Sequence, residues 1–254
     1  MSVFALDFPE ISHILVWPDI FPSFNKVALI GVASVVATVV IFMLAGRRNA
    51  MEAPRGVRNV AEASVDFIEG DIVMQTIGRD GLGWTPFLVS IFFFVLFCNI
   101  TEIIPTVQMP ATARMAIPAT MALVVWLVYN TVGIKHQGFF GYLKNSCFPP
   151  GVPWPLYFLV APIEFVSTFL VRPFSLAIRL FANMLAGHLL LVTFAILTDA
   201  LITANTAALK PIFVLPFFML VFLTAFEILV SVLQAYIFAI LTAVYIGGAT
   251  HPDH

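Results

Sequence analysis

Five stretches of almost uninterrupted apolar residues divide this chain, with short polar clusters between them. The first runs from about Lys26 to Ala45, ~20 residues, the length a helix needs to cross a ~30 Å hydrocarbon core. The second runs from Trp84 to about Ile104, between an interface-seeking tryptophan and the helix breaker Pro105. Asn99 and Glu102 fall near its outer end, where their polarity is affordable. Residues 105–114, with Pro105 and Pro110, read as a short external loop. A third span, about Met115 to Ile134, meets Lys135, His136 and Lys144, and the proline-rich stretch Asn145–Pro155 reads as a rigid turn.

The last two stretches are too long for upright spans. Residues 156–198 would make a helix of roughly 64 Å, and residues 211–247 one of roughly 55 Å, at ~1.5 Å per residue. Each must tilt strongly, bend or divide into a hairpin, with Pro173 and Pro216 as possible bends and the polar segment from Thr198 to Lys210 between them. One crossing each gives five crossings in all and a cytoplasmic C-terminus; division of the first at Pro173 gives six and places it outside.

A different periodicity covers about Asn59 to Ile77. Glu62, Asp66 and Glu69 share one face, and Ala61, Val65, Ile68 and Ile72 share another. That pattern predicts an amphipathic helix at the membrane interface. Arg47, Arg48, Arg55 and Arg58 follow the first span and only Lys26 precedes it, so residues 1–25 are expected outside and 46–80 in the cytoplasm or at its interface. The fold class expected is an all-α polytopic membrane protein, one integral domain over 1–254, with about five crossing helices and one interfacial helix.

Composition agrees. Of the 254 residues, 61% are hydrophobic and 10% charged, with a mean hydropathy of +1.01; soluble domains are nearer a quarter charged. A net charge of −2 without a basic run gives no footprint for nucleic acid. Cys98 and Cys147 are too isolated for a disulfide framework or a metal site. Asp7, Glu10 and Asp19 near the start do not read as a signal or transit peptide, which favours a bacterial plasma membrane over an organelle.

Against this background Arg179 stands out. A guanidinium does not deprotonate in proteins, and one at a helix centre costs from about 2.5 to above 10 kcal/mol. It can snorkel or pair inside a bundle, but the polar residues around it favour a site that binds or moves charge. Arg172 and Arg179 are seven apart and share a face with Ser175, Ala182 and Ala186, with Asn183 one turn on. His188 lies about half a rotation from Arg179. On the last segment Thr224, Glu227, Ser231 and Gln234 form a polar stripe, and Ser231, Ala235, Ala239, Ala243 and Gly247 form a ladder of small residues suited to close helix packing. Glu164 could offset Arg172, and Glu227 could meet His188 as a proton-handling pair. Arg179 is then left over, and since buried charges are normally paired, its carboxylate is expected on another subunit.

The runs Pro173-Phe-Ser-Leu-Ala-Ile-Arg179-Leu-Phe-Ala-Asn183-Met-Leu-Ala-Gly187-His188 and Glu227-Ile-Leu-Val-Ser-Val-Leu-Gln234-Ala-Tyr-Ile-Phe-Ala-Ile-Leu-Thr242 resemble the a subunit of rotary F-type ATP synthases, and the resemblance covers nearly the whole chain. It implies that Arg179 is the essential arginine facing a ring of c subunits. It also implies that Glu164, Asn183, His188, Glu227 and Gln234 fall where the family lines two aqueous half-channels; Arg172 and Ser231 complete the candidate set. Some bacterial members carry the acid at the position of His188 and the histidine at that of Glu227; this chain has the exchanged arrangement. The resemblance implies a proton-translocating stator subunit with two strongly tilted C-terminal helices and five crossings. Its partners would be the c-ring, b-type peripheral stalk subunits and the lipid bilayer, with no cofactor. No G-x-x-x-x-G-K-[ST] loop is present, so ATP chemistry is not expected on this chain. A proton-coupled secondary transporter is the alternative, but the internal repeat common in such folds is not apparent. An intramembrane enzyme would need a nucleophile with its base, or a fuller metal-ligand set than His188 and Glu227.

Overall fold

A computed structural model of the chain describes residues 25–46, 56–104, 107, 109–148, 153–203 and 210–250. The N-terminal segment, the cluster Arg47, Arg48 and Arg55, and parts of the connecting segments lie outside the described residues. Among those described there is helix and turn and no strand.

Helix α1, Lys26–Gly46, buries only a narrow edge of Val27, Ile30, Ser34 and Thr38. The Ser34 and Thr38 hydroxyls donate to carbonyls one turn back, each at 2.8 Å, so they add no unmet polarity. Most of its large apolar side chains face outward, which suits a helix packed along one edge with lipid around the rest. Helix α2, Val57–Phe67, continues through a π-helical stretch, Ile68–Val73, to Thr76. Its apolar face is buried as the periodicity requires: Ala61, Ile68 and Ile72 are enclosed, and Arg58 holds Glu62 at 2.6 Å on the polar side.

Helices α3 (Thr85–Ile100) and α4 (Ala116–Gln137) are the second and third spans, and α5 (Phe139–Cys147) is a short helix after Gly138. Gly138 has φ 74°, a left-handed conformation that ends α4 and suits glycine. The fourth apolar stretch is a single helical run, Trp154–Ile202, comprising α6 (Tyr157–Val166), a π turn (Ser167–Val171) and α7 (Arg172–Ile202). The fifth runs from Lys210 to Thr250 and contains α8, Val214–Thr250. At 49 and 41 residues these runs measure roughly 74 and 62 Å.

Neither run folds into a hairpin, so the described chain has five helices long and apolar enough to cross a membrane. Two possibilities that the sequence left open are resolved, and one expectation needs adjustment. Pro173 does not divide the fourth run, because the π turn before it absorbs the irregularity. Pro216 falls in the first turn of α8, which is one continuous helix from Val214 to Thr250; a proline is tolerated at that end of a helix. Asp199, expected in the connecting segment, sits in the last turn of α7, which extends to Ile202.

Helix α8 packs against α3, α4 and α7. Its small-residue ladder makes this possible: Ser231, Ala235, Ala239 and Ala243 have no exposed surface. At the lower rung a Cβ on Gly247 would approach the Thr76 carbonyl to 2.9 Å. Small side chains let backbones come together where lipid provides no hydrophobic drive for association.

Candidate functional site

Helix α7 presents two different faces. Leu176, Ala177, Leu180, Met184 and His188 point into the bundle and are buried. Arg179, Ala182, Asn183 and Ala186 are exposed on the other side. Arg179 makes no ion pair or hydrogen bond among the described residues. The residue that composition made most expensive therefore lies on a surface of this chain, flanked by small side chains, as the expectation of a partner from another subunit requires.

On the buried face, His188 reaches a carboxylate, and it belongs to a residue the sequence reading set aside. Glu102, just past the end of α3, lies with Oε1 3.4 Å from His188 Nδ1. This is an ion-pair separation rather than a well-formed hydrogen bond. The Glu227 carboxyl of α8 lies close enough to Glu102 for their charges to interact. It rests on Gly187, where an added Cβ would collide with all three of its carboxyl atoms. The expected His188–Glu227 pair is thus a three-membered cluster drawn from α7, α8 and the end of α3.

Glu102 was read as affordable polarity at a helix end, yet it is 4% exposed, and Asn99 is fully enclosed. The enclosure comes from the following segment: the 3₁₀ turn Ala111–Ala113 folds back against α7, and the Thr112 hydroxyl donates to Asn99 Oδ1 at 2.5 Å. Both Glu102 oxygens, Glu227 Oε1, Ser231 Oγ and Asn99 Nδ2 have no hydrogen-bond partner among the described residues. Native interiors rarely hold so many together without a purpose.

Towards the other end of α7 the chemistry changes. Arg172, seven residues before Arg179 on the same helix, is partly buried and places its guanidinium 5.6 Å from the centre of the Tyr245 ring. No ion pair joins it to Glu164 among the described residues; the two are eight residues apart, about 12 Å along the run. Glu164 sits nearer Cys147, and burial together with that carboxylate pushes the thiol above its ordinary range. Tyr129 stacks obliquely on Tyr245 with centroids 5.7 Å apart, and the Tyr142 hydroxyl donates to Asn130 Oδ1 at 3.1 Å. Gln234 is buried on α8, and Ser231 belongs to the packing ladder.

A polytopic all-α protein with an outward-facing arginine and a buried acid–imidazole cluster is a membrane protein built around charge. The family described as "ATP synthase A chain" matches residues 28–247. The subunit a of ATP synthase from Frankia alni is 44% identical, with 91% of this chain and 79% of the relative covered. That from Rhodococcus erythropolis is 44% identical over 85% of this chain and 78% of its own length. That from Hyphomonas neptunium is 38% identical over 100% of this chain and 99% of its own length. The chain belongs to the ATP synthase subunit a family.

Proposed function

We propose that this chain is the proton-translocating stator subunit in the membrane sector of a bacterial F-type ATP synthase, where it works without catalysing ATP chemistry itself. The observation that carries this reading is Arg179, a guanidinium without a partner among the described residues, on an exposed helix face within a membrane-length run. A rotor of c subunits, each with one carboxyl group, would pass along this face, and b-type stalk subunits would hold the chain against its torque.

The roles follow from position. On the expected topology the end of α3 and the second half of α7 lie towards the outside, so Glu102, His188 and Glu227 form the access path from that side. Water reaching their unpartnered oxygens would relay a proton to a rotor carboxyl, which can then face lipid as a neutral group. After nearly a full turn that carboxyl meets the second path, on the side of Arg172 and Glu164. Arg179 stands between, about 13 Å along the helix from His188 and about 10 Å from Arg172 at ~1.5 Å per residue. Its fixed charge favours the ionised rotor carboxyl, so it draws the proton off, and it repels a proton hopping directly from path to path. Asn183 shares the Arg179 face, while Gln234 and Ser231 line the facing side of α8. Each charge moved yields ~2.3 kcal/mol per 100 mV, so several are needed per ATP.

ATP-driven acidification of inverted membrane vesicles tests this reading, comparing wild type with Arg179→Ala in a complex checked for assembly. Loss of pumping supports it; full pumping overturns the role given to Arg179.

A further inference from the structure

The helical run that carries Arg179 changes register just before it, and α4 meets the consequences. The Arg172 N–H bonds to the Ser167 carbonyl five residues back, as a π turn requires. Continuing that register, residue 173 would serve the Thr168 carbonyl; in α register it would serve Phe169. Residue 173 is a proline and has no N–H, so the two carbonyls lose those donors together. Helix α4 supplies replacements. The Tyr129 hydroxyl donates to the Thr168 carbonyl at 2.7 Å, and the Trp126 indole N–H donates to the Phe169 carbonyl at 3.0 Å. Tyr129 is 1% exposed and Thr168 3%. In a membrane interior no bulk water stands in for a missing donor, so such carbonyls are costly to leave bare.

This matters for Arg179 because a π turn holds one residue more than an α turn. Its presence rotates everything that follows by about 100°, one residue's share of a helical turn. Without it, the exposed stripe of Arg179, Ala182 and Ala186 would no longer face outward relative to α6 and the turn. We propose that Trp126 and Tyr129 are positioning residues for Arg179: by satisfying the two carbonyls that Pro173 cannot, they hold the π turn and so aim the guanidinium. The inference rests on the reading of Arg179 as the residue that meets the rotor.

The test uses the assembled complex. Cysteines are placed singly at Ala182 and Ala186, on the Arg179 face, and at Phe181 and Leu185 beside it. Each is scored for disulfide formation with a cysteine placed beside the carboxyl-bearing residue of a rotor subunit, with and without Trp126→Phe and Tyr129→Phe together. In the paired variant, cross-linking is expected to fall severalfold at Ala182 and Ala186 and to rise at Phe181 and Leu185. ATP-driven pumping should drop roughly tenfold, in line with the sensitivity of such chemistry to ångström-scale misplacement. An unchanged cross-linking pattern overturns the proposal, whether or not pumping survives. Should the paired variant fail to assemble, Tyr129→Phe alone removes one oxygen and is judged by the same shift. Absence of cross-links at Ala182 and Ala186 in wild type, with full pumping by Arg179→Ala, would overturn the underlying reading as well and so is distinguishable.

Discussion

Around His188, two carboxyl groups and an imidazole share an enclosed space in which several polar atoms lack partners among the described residues. Around Arg172, a guanidinium lies over a tyrosine ring among groups whose hydrogen bonds are filled: Tyr129 to Thr168, Tyr142 to Asn130, Asn130 to the Trp126 carbonyl at 2.7 Å, and Gln137 to the Ala249 carbonyl at 2.9 Å. Burial pushes the Tyr142 phenol above its usual range, so it stays neutral. The first region is built from groups that can exchange protons, with spare donors and acceptors. In the second, the groups around Arg172 are fixed in place by those bonds, and its guanidinium is held by an aromatic face. Polarity in a membrane protein therefore has two uses, and the state of hydrogen-bond satisfaction distinguishes them better than residue type.

The largest effect that would sharpen this contrast belongs to neither region but to Arg179 between them. Arg179→Ala is expected to lower ATP-driven vesicle acidification by at least roughly 100-fold, the scale of losing a preorganised charge at a reacting group. Gly187→Ala should come next. The new methyl group would displace the Glu227 carboxyl, and pumping should fall about tenfold, comparable to impairing one acid–base group. Shortening the acid in Gly187→Ala with Glu227→Asp should recover part of that loss; if it recovers none, the close contact is not the cause.

In the Arg172 region the effects should be smaller. Tyr245→Leu removes the ring beneath the guanidinium, and cation–π contacts are worth about 0.5–2 kcal/mol. Pumping in the assembled complex should then change by no more than a few fold, and a complete loss would mean that the ring itself is needed on the second path. Smallest of all for transport, Ala239→Leu should act through packing. Overfilling a site with no exposed surface typically costs about 1–3 kcal/mol, read as a lower detergent-melting temperature of the complex with pumping per assembled complex kept.

Much of this was legible in the sequence, where local periodicity decides. The five spans follow from length and apolarity, and the buried ladder on α8 follows from small residues at every fourth position. The opposition of Arg179 and His188 on α7 follows from their nine-residue separation. The membership of Glu102 was not legible, because it depends on a fold-back of the 3₁₀ turn bearing Thr112, 10 residues on in sequence. A signal did exist: Asn99 and Glu102 fall three apart, on one side of an otherwise apolar helix. The π turn was equally hidden. Pro173 announced an irregularity, but only the donors on α4 decide that it becomes a change of register rather than a bend. Glu164 and Arg172 looked like a pair by charge alone, but eight residues hold them about 12 Å apart along the run.

Glu102 is the residue on which the contrast between the two regions depends most, since it links His188 of α7 to Glu227 of α8. The most direct measurement is ATP-driven acidification of inverted vesicles carrying Glu102→Gln, which keeps the shape and removes the exchangeable charge. The account predicts a loss of pumping of about tenfold or more in a fully assembled complex. Pumping at the wild-type rate would contradict it, leaving Glu102 a buried neighbour of the path and not a part of it.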